Sequence, residues 1–286
     1  MRGAAATMRV LRPSSAREAV AAYGRAPDAA PIAGGTDFMV AWNMGLLNGR
    51  AVLDLSGVGE WRGIVKFDGG LRVGALTTHA EIQGHGMLRR EFPLLAQACS
   101  TIGASQIQNR GTLGGNIANA SPAGDSFPAL AVYEAFVRTV SPRGERRVPF
   151  LEVFAGVKET TLGPSELISS VELPFLSGRP SRRLFRKVGT RAAQAISKTV
   201  AAGLLWIGKD GRVEELRFAL GSMAPTVRRL RRVEDFVGGR KLAAETAARA
   251  CELLAEDVSP IDDIRSTREY RLRCSQNILR AFLEGK

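Results

Sequence analysis

A chain of 286 residues that is 45% hydrophobic can build cores for about two domains, and it has no apolar run near the roughly 20 residues of a membrane span. Its net charge of +12 invites a nucleic-acid reading, but aromatic residues are only 6% and none alternate with the basic clusters to form a base-stacking platform. Three scattered cysteines, Cys99, Cys251 and Cys274, exclude a disulfide framework and a metal or iron–sulfur cluster held by this chain, and point to a reducing, cytoplasmic compartment. The opening MRGAAATMRVLRP lacks a signal peptide's apolar core and reads as a disordered leader, with Met8 an alternative start. Ser15-Ala16-Arg17-Glu18 is a capping box that opens a helix to about Tyr23. Pro31 to Ala33 is a short buried strand running into Gly34-Gly35-Thr36-Asp37, followed by a helix over Phe38–Leu47 and a strand over Ala51–Leu55. A hairpin is expected from Ile64–Phe67 and Leu71–Gly74 around Asp68-Gly69-Gly70. Thr78 to Glu81 is a second capping box; His79 and His85 have no partner at ligand spacing and read as surface residues. Phe92–Cys99 is a core helix that leads into the most informative stretch.

That stretch is QNRGTLGGNIANASPAGD, Gln108–Asp125. Gly111, Gly114 and Gly115 permit turns and close approach that a β-carbon forbids, and successive N–H groups in such loops make a concave surface for phosphate oxygens. Thr112, Asn116 and Ser121 add neutral donors, and Asp125 can accept from a sugar or ribityl hydroxyl. An ordinary tight turn remains open for either loop alone, but Gly34-Gly35-Thr36-Asp37 repeats the same chemistry far upstream. Neither is the Rossmann fingerprint or a P-loop. Two separate Gly-Gly-polar turns point to a dinucleotide pyrophosphate held between backbone loops.

Downstream, Ala129–Thr139 reads as a strand, and Val148–Phe154 and Leu167–Leu173 carry the fold towards its end. Turn residues cluster at 176–181 and mark a boundary. Thr199–Ile207 and Arg212–Leu220 form a strand pair joined at Gly208-Lys209-Asp210-Gly211. Ala247, Cys251 and Leu254 give one apolar helix face, and Tyr270, Cys274, Ile278 and Phe282 another. The arginines at 179–191 and 228–232 are expected to be mostly solvated, with a minority facing an acidic partner or a pyrophosphate.

AGGTD and NRGTLGGNIANASPAGD, with ETTLGPSELISSVELPF (159–175), FRKVGTRAAQAIS (185–197) and ALGSMAPTVRRL (219–230), resemble the FAD-binding medium subunit of molybdenum hydroxylases, the xanthine dehydrogenase and carbon monoxide dehydrogenase family. The five segments occur in family order across nearly the whole chain. The resemblance implies an α+β fold: a two-subdomain PCMH-type FAD-binding domain over 8–176 (subdomains 8–57 and 58–176), then a smaller α+β domain over 182–286 like the carbon monoxide dehydrogenase flavoprotein C-terminal domain. It implies non-covalent FAD, with Ile32, Ala33, Gly34, Gly35, Thr36 and Asp37 on one side of the pyrophosphate and Gly111, Thr112, Gly114, Gly115 and Asn116 on the other. Ile102 lines the same site, Asp125 bonds a cofactor hydroxyl, and Leu167 or Ile168 lies against a ring. Lys187, or its neighbour Arg186, stands near the flavin end. A valine at Gly114 is expected to leave a folded, FAD-depleted protein.

By the same resemblance, a large molybdopterin subunit and a small 2Fe–2S subunit are the partners, in a dimer of heterotrimers. This chain passes their electrons to NAD, oxygen or a quinone, with no catalytic acid–base pair, nucleophile or metal site of its own. Two rivals stand beside this reading: a self-contained flavoenzyme of the same fold using NAD(P)H, and a basic nucleic-acid-binding protein.

Overall fold

The computed structural model describes residues 8–286; of the leader expected over MRGAAATMRVLRP, residues 1–7 lie outside the described residues, whereas Val10–Leu11 form a paired strand, so that part is not a disordered segment. The first sheet is made of short strands, β1 (Val10–Leu11), β2 (Ala30–Ile32) and β3 (Val52–Asp54), connected through α1 (Ala16–Arg25) and α2 (Phe38–Asn43). β3 is central and parallel to both neighbours; its Val52 and Leu53 are buried, as a parallel sheet requires. Ser15 caps α1 by accepting from the Glu18 N–H, but the Glu18 carboxylate takes the N–H and hydroxyl of Ser14. The expected reciprocal box therefore closes one residue early. α2 stops short of the expected Leu47 because Gly45 turns left-handed at φ 76°.

β4 (Ile64–Phe67) and β5 (Gly70–Gly74) form the expected hairpin, with Gly69 left-handed at its turn. Short helices follow: α3 (His79–Gly84), α4 (Gly86–Glu91), α5 (Pro93–Ser100), α6 (Ser105–Gln108), α7 (Leu113–Ala118) and α8 (Phe127–Val132). The chain then makes β6 (Phe136–Ser141), β7 (Gly144–Pro149), the small hairpin β8 (Phe154–Gly156) and β9 (Glu159–Thr160), and β10 (Leu167–Pro174). An antiparallel sheet results, ordered β4-β5-β10-β6-β7. The Thr78–Glu81 capping box is present in both directions. Ala129–Thr139 is not one strand, however, but the end of α8 followed by β6. The run from Phe127 to Tyr133 is apolar on every side, so periodicity could not assign it. Pro128 in its first turn suits a helix, and Glu134 at φ 52° ends it.

The last third contains β11 (Arg182–Val188), β12 (Thr199–Ile207), β13 (Val213–Gly221), β14 (Arg228–Arg229), α9 (Arg231–Val237), α10 (Ala244–Asp257) and α11 (Arg268–Glu284). One face of this four-stranded antiparallel sheet buries Leu205, Phe218 and Leu220 against Leu254 of α10 and Leu279 of α11. From the other face, Ala202, Leu204 and Ala219 join the core that contains Phe127 and Leu130 of α8. A continuous apolar core thus crosses the turn-rich segment at 176–181. The fold is α+β throughout. No helix among the described residues is long and apolar enough to cross a membrane.

Two polar side chains overturn apolar readings of this region. The buried face of α11 is Arg271, Ser275, Leu279, Phe282 and Leu283, and Tyr270 of the expected face is 45% exposed. Arg271 is drawn inward because its guanidinium donates to the carbonyls of Lys198 (2.7 Å) and Ser222 (3.2 Å) and to Asp263 (2.7 Å). Ser275 shares a 2.8 Å hydrogen bond with Thr199.

Within the basic segment 228–232, Arg229 is buried, not solvated. Its fork meets the Glu234 carboxylate at 2.6 and 2.9 Å and it donates to the Ala131 carbonyl of α8 at 3.2 Å. Removing one member of a buried pair strands the other charge, at a cost of about 3 kcal/mol or more. Arg229→Leu should lower stability by that order in chemical denaturation, whereas Arg228→Ala, on an exposed position, should leave it unchanged.

Candidate cofactor site

Gly34 lies two residues past the end of β2 and Arg110 two residues past the end of α6, and the fold presses these two points together. A β-carbon on Gly34 would lie 1.8 Å from the Arg110 carbonyl oxygen. The two glycine loops therefore touch backbone to backbone, an approach only glycine allows. Gly35 is left-handed at φ 80°. Beyond it, the N–H groups of Gly35, Thr36 and Asp37 donate to no protein acceptor among the described residues. Three consecutive free donors starting from a left-handed residue form a concavity for anionic oxygens. Ile32, Ala33 and Thr36 flank it half-buried, while Asp37 is exposed.

The second loop spends its own donors internally. Gly111 donates to Ile107, Gly114 to Ala75 and Asn116 to Thr112, while the Thr112 hydroxyl accepts from Gly115 at 3.1 Å and so caps α7. Its role in the geometry is close approach, and the two central glycines differ in it. Gly115 is exposed beside Asn116, whose side-chain carbonyl accepts from Ser126 at 2.6 Å. Gly114 faces inward: a β-carbon there would lie 2.6 Å from that of Ala75. The expectation that valine at 114 leaves a folded chain is therefore corrected, because the clash falls in the core. Valine at Gly115 is the variant that obstructs the exposed side of the loop.

His79 is a second correction. It is 2% exposed, its main-chain N–H donates to the Gly111 carbonyl at 3.0 Å, and its ring packs behind that glycine. Burial lowers its pKa to about 4, so a neutral imidazole backs the loop. No spacing in the sequence signals this, because the contact joins residues that only the fold brings together. His85 is half-buried and accepts from the Leu88 N–H at the start of α4.

At the far end lies Asp125, 7% exposed. Lys187 of β11 reaches it at 2.6 Å and also donates to the Thr101 carbonyl at 2.8 Å. Strand alternation leaves Arg186 exposed, so the inward cation is Lys187. One oxygen of Asp125, Oδ1, is buried with no hydrogen-bond partner. Burial raises the carboxyl pKa to about 6 although Lys187 and, more weakly, the nearby Ser197 hydroxyl pull it down. A buried acceptor without a donor calls for one from a ligand. Ile102 stands half-buried after Thr101, and the segment after β11 closes over it through the Gln194 N–H to Gly103 carbonyl bond (3.3 Å).

Leu167 and Ile168 are 4% and 7% exposed and packed in two different cores, so neither presents a free face. One basic residue escaped the sequence reading. Lys158, in the β8–β9 turn, places its ammonium 2.6 Å from the Asn119 side-chain oxygen and 3.9 Å from the Asp37 carboxylate. A groove of about 750 Å³ beside α1, lined by Arg12, Arg17 and Arg25 among others, contains none of these residues.

The free N–H row, the glycine contact and the unpartnered carboxylate oxygen fit a ligand carrying a diphosphate and hydroxyls. Residues 6–176 match the family described as the FAD binding domain in molybdopterin dehydrogenase, and residues 184–285 match the CO dehydrogenase flavoprotein C-terminal domain. The xanthine dehydrogenase FAD-binding subunit of Escherichia coli O157:H7 is 30% identical over 258 residues, covering 90% of this chain and 88% of that one. The nicotine 6-hydroxylase medium subunit of Paenarthrobacter nicotinovorans is 30% identical over 273 residues, covering 96% and 95%. The solved structure of reconstituted CO dehydrogenase from Oligotropha carboxidovorans superposes with a TM-score of 0.92 at 25% identity, covering 99% of this chain and 98% of that one.

Proposed function

The chain belongs to the family of FAD-binding subunits of molybdenum hydroxylases, and we propose that it is the electron-transfer flavoprotein of a cytoplasmic complex. Its partners in this reading are a large molybdopterin subunit and a small subunit with 2Fe–2S clusters, assembled as a dimer of heterotrimers. The observation that carries the reading is the backbone contact of Gly34 with Arg110, which brings a row of free N–H groups beside a second glycine loop. When bound, FAD supplies the redox chemistry, taking electrons from the iron–sulfur clusters and releasing them to an external acceptor.

The protein's own work is position and electrostatics. Gly35, Thr36 and Asp37 donate main-chain N–H groups to the diphosphate, Gly34 and Gly111 let the two loops and the His79 ring close up behind it, and Gly115 and Asn116 line its exposed side. Thr112 holds the second loop closed and Gly114 seats that loop on Ala75. Asp125 accepts from a cofactor hydroxyl, and Lys187 keeps a positive charge beside it. Ile102 lines the ring end, where Leu167 or Ile168 would have to be uncovered to meet a ring. In domain terms, 8–176 would be the FAD-binding unit and 182–286 the C-terminal unit. Protease cleavage confined to 176–181, with the fragments still associated through α8 and β12, would support that division; cleavage elsewhere would oppose it.

Purification from the native source is the direct test. The chain should travel with a large molybdenum subunit and a small iron–sulfur subunit, and its flavin should be reduced when the complex meets its carbon substrate. Expressed alone, it should transfer electrons from NADH to dyes at best and hydroxylate nothing. A lone polypeptide that turns over a carbon substrate would overturn the reading.

A further inference from the structure

The β8–β9 hairpin is short, yet its turn reaches across to both glycine loops. Lys158 occupies that turn at φ 60°, a left-handed conformation that glycine adopts freely and lysine does not. Retaining a strained residue where glycine is easier points to a use for its side chain. The turn is anchored, because the Lys158 N–H donates to the Ala120 carbonyl at 3.0 Å. From there the ammonium meets Asn119, just past α7, at 2.6 Å and approaches Asp37, the last residue of the free N–H row, at 3.9 Å.

Charge gives this placement its meaning. The free donors of the first loop are neutral main-chain groups, and its one ionisable side chain, Asp37, repels phosphate. A diphosphate seated there brings two negative charges next to that carboxylate. Lys158 and Asp37 are each about half exposed, at 51% and 58% of their side chains, so the ammonium is free to exchange one weak partner for another.

Resting on the FAD-binding reading above, we propose that Lys158 is a further cofactor-binding residue, a cation delivered by the β8–β9 turn that neutralises the FAD diphosphate and offsets Asp37. The Asn119 contact holds it ready, and a charge-assisted bond to a phosphate oxygen replaces the long approach to Asp37.

The test separates charge from backbone. The full-length chain, stripped of flavin, is titrated with FAD as wild type, Lys158→Gly and Lys158→Arg, at low and high salt. Lys158→Gly removes the strain, so its thermal midpoint without FAD should equal or exceed that of wild type. Its FAD dissociation constant should nevertheless rise on the order of tenfold to a hundredfold, with a shallower dependence on salt. Lys158→Arg should recover most of the affinity. Unchanged affinity in Lys158→Gly, or no recovery in Lys158→Arg, overturns the proposal while leaving FAD binding intact. A wild-type chain that takes up no FAD overturns the functional reading itself, and this inference with it.

Discussion

Gly34→Ala is expected to yield a folded chain that purifies without flavin. The added methyl would lie 1.8 Å from the Arg110 carbonyl oxygen and 2.5 Å from its carbon, so no side-chain adjustment can relieve it. The backbones must part, and the free donors of Gly35, Thr36 and Asp37 then lose their register with the second loop. Misplacing several charge-assisted donors together costs about 3 kcal/mol or more in binding, a hundredfold or greater rise in the FAD dissociation constant. Gly49→Ala is the control. Gly49 has nothing within 4 Å of its missing β-carbon but a left-handed φ of 78°, which Gly34 lacks, so it tests backbone strain without a clash and should keep its FAD. Wild-type occupancy in Gly34→Ala would show that the loops do not form the site together.

Asp125→Asn should reveal a trade between cofactor binding and stability. Its buried carboxyl has a pKa raised to about 6 from 3.8, so the folded chain binds a proton more tightly than the unfolded one. Stability must then fall as pH rises between those values, and the loss is complete above the folded pKa. Without FAD, wild type should lose on the order of 3 kcal/mol relative to Asp125→Asn between pH about 4 and pH about 6, then track it at higher pH. With FAD the ranking should reverse near neutrality, because the amide is a weaker acceptor for the cofactor hydroxyl than the charged oxygen. Denaturation curves of both chains across that range, with and without FAD, check both signs. A wild-type chain that gains stability relative to the variant over the same interval would show that Lys187, not burial, controls Asp125.

The sequence carried the parts of this site that depend on local chemistry. Gly34, Gly35 and the Gly111–Asn116 turn stood out because the same glycine-pair and polar chemistry occurs twice, far apart in the chain. Asp125 stood out as an isolated acid in an apolar stretch. Long-range consequences were hidden. Gly114 reads like Gly115 until Ala75 is placed against it. His79 looks like a solvent-facing cap neighbour until Gly111 folds back over it. Arg186 and Lys187 differ only in which face of β11 they occupy, a matter of register with β12. Lys158 was invisible because a two-residue turn far downstream has no periodicity to mark it. The miscast strand at 129–139 has a different cause: uniform burial erases the alternation that separates strand from helix.

What the purified chain carries is the most direct test of dinucleotide binding between the glycine loops. Expressed alone and precipitated with acid, it should release a yellow chromophore that separates as FAD, equimolar with the polypeptide. A colourless protein or release of FMN would contradict that binding, since the paired glycine loops would then hold no dinucleotide diphosphate, and a flavin retained on the chain would contradict non-covalent binding.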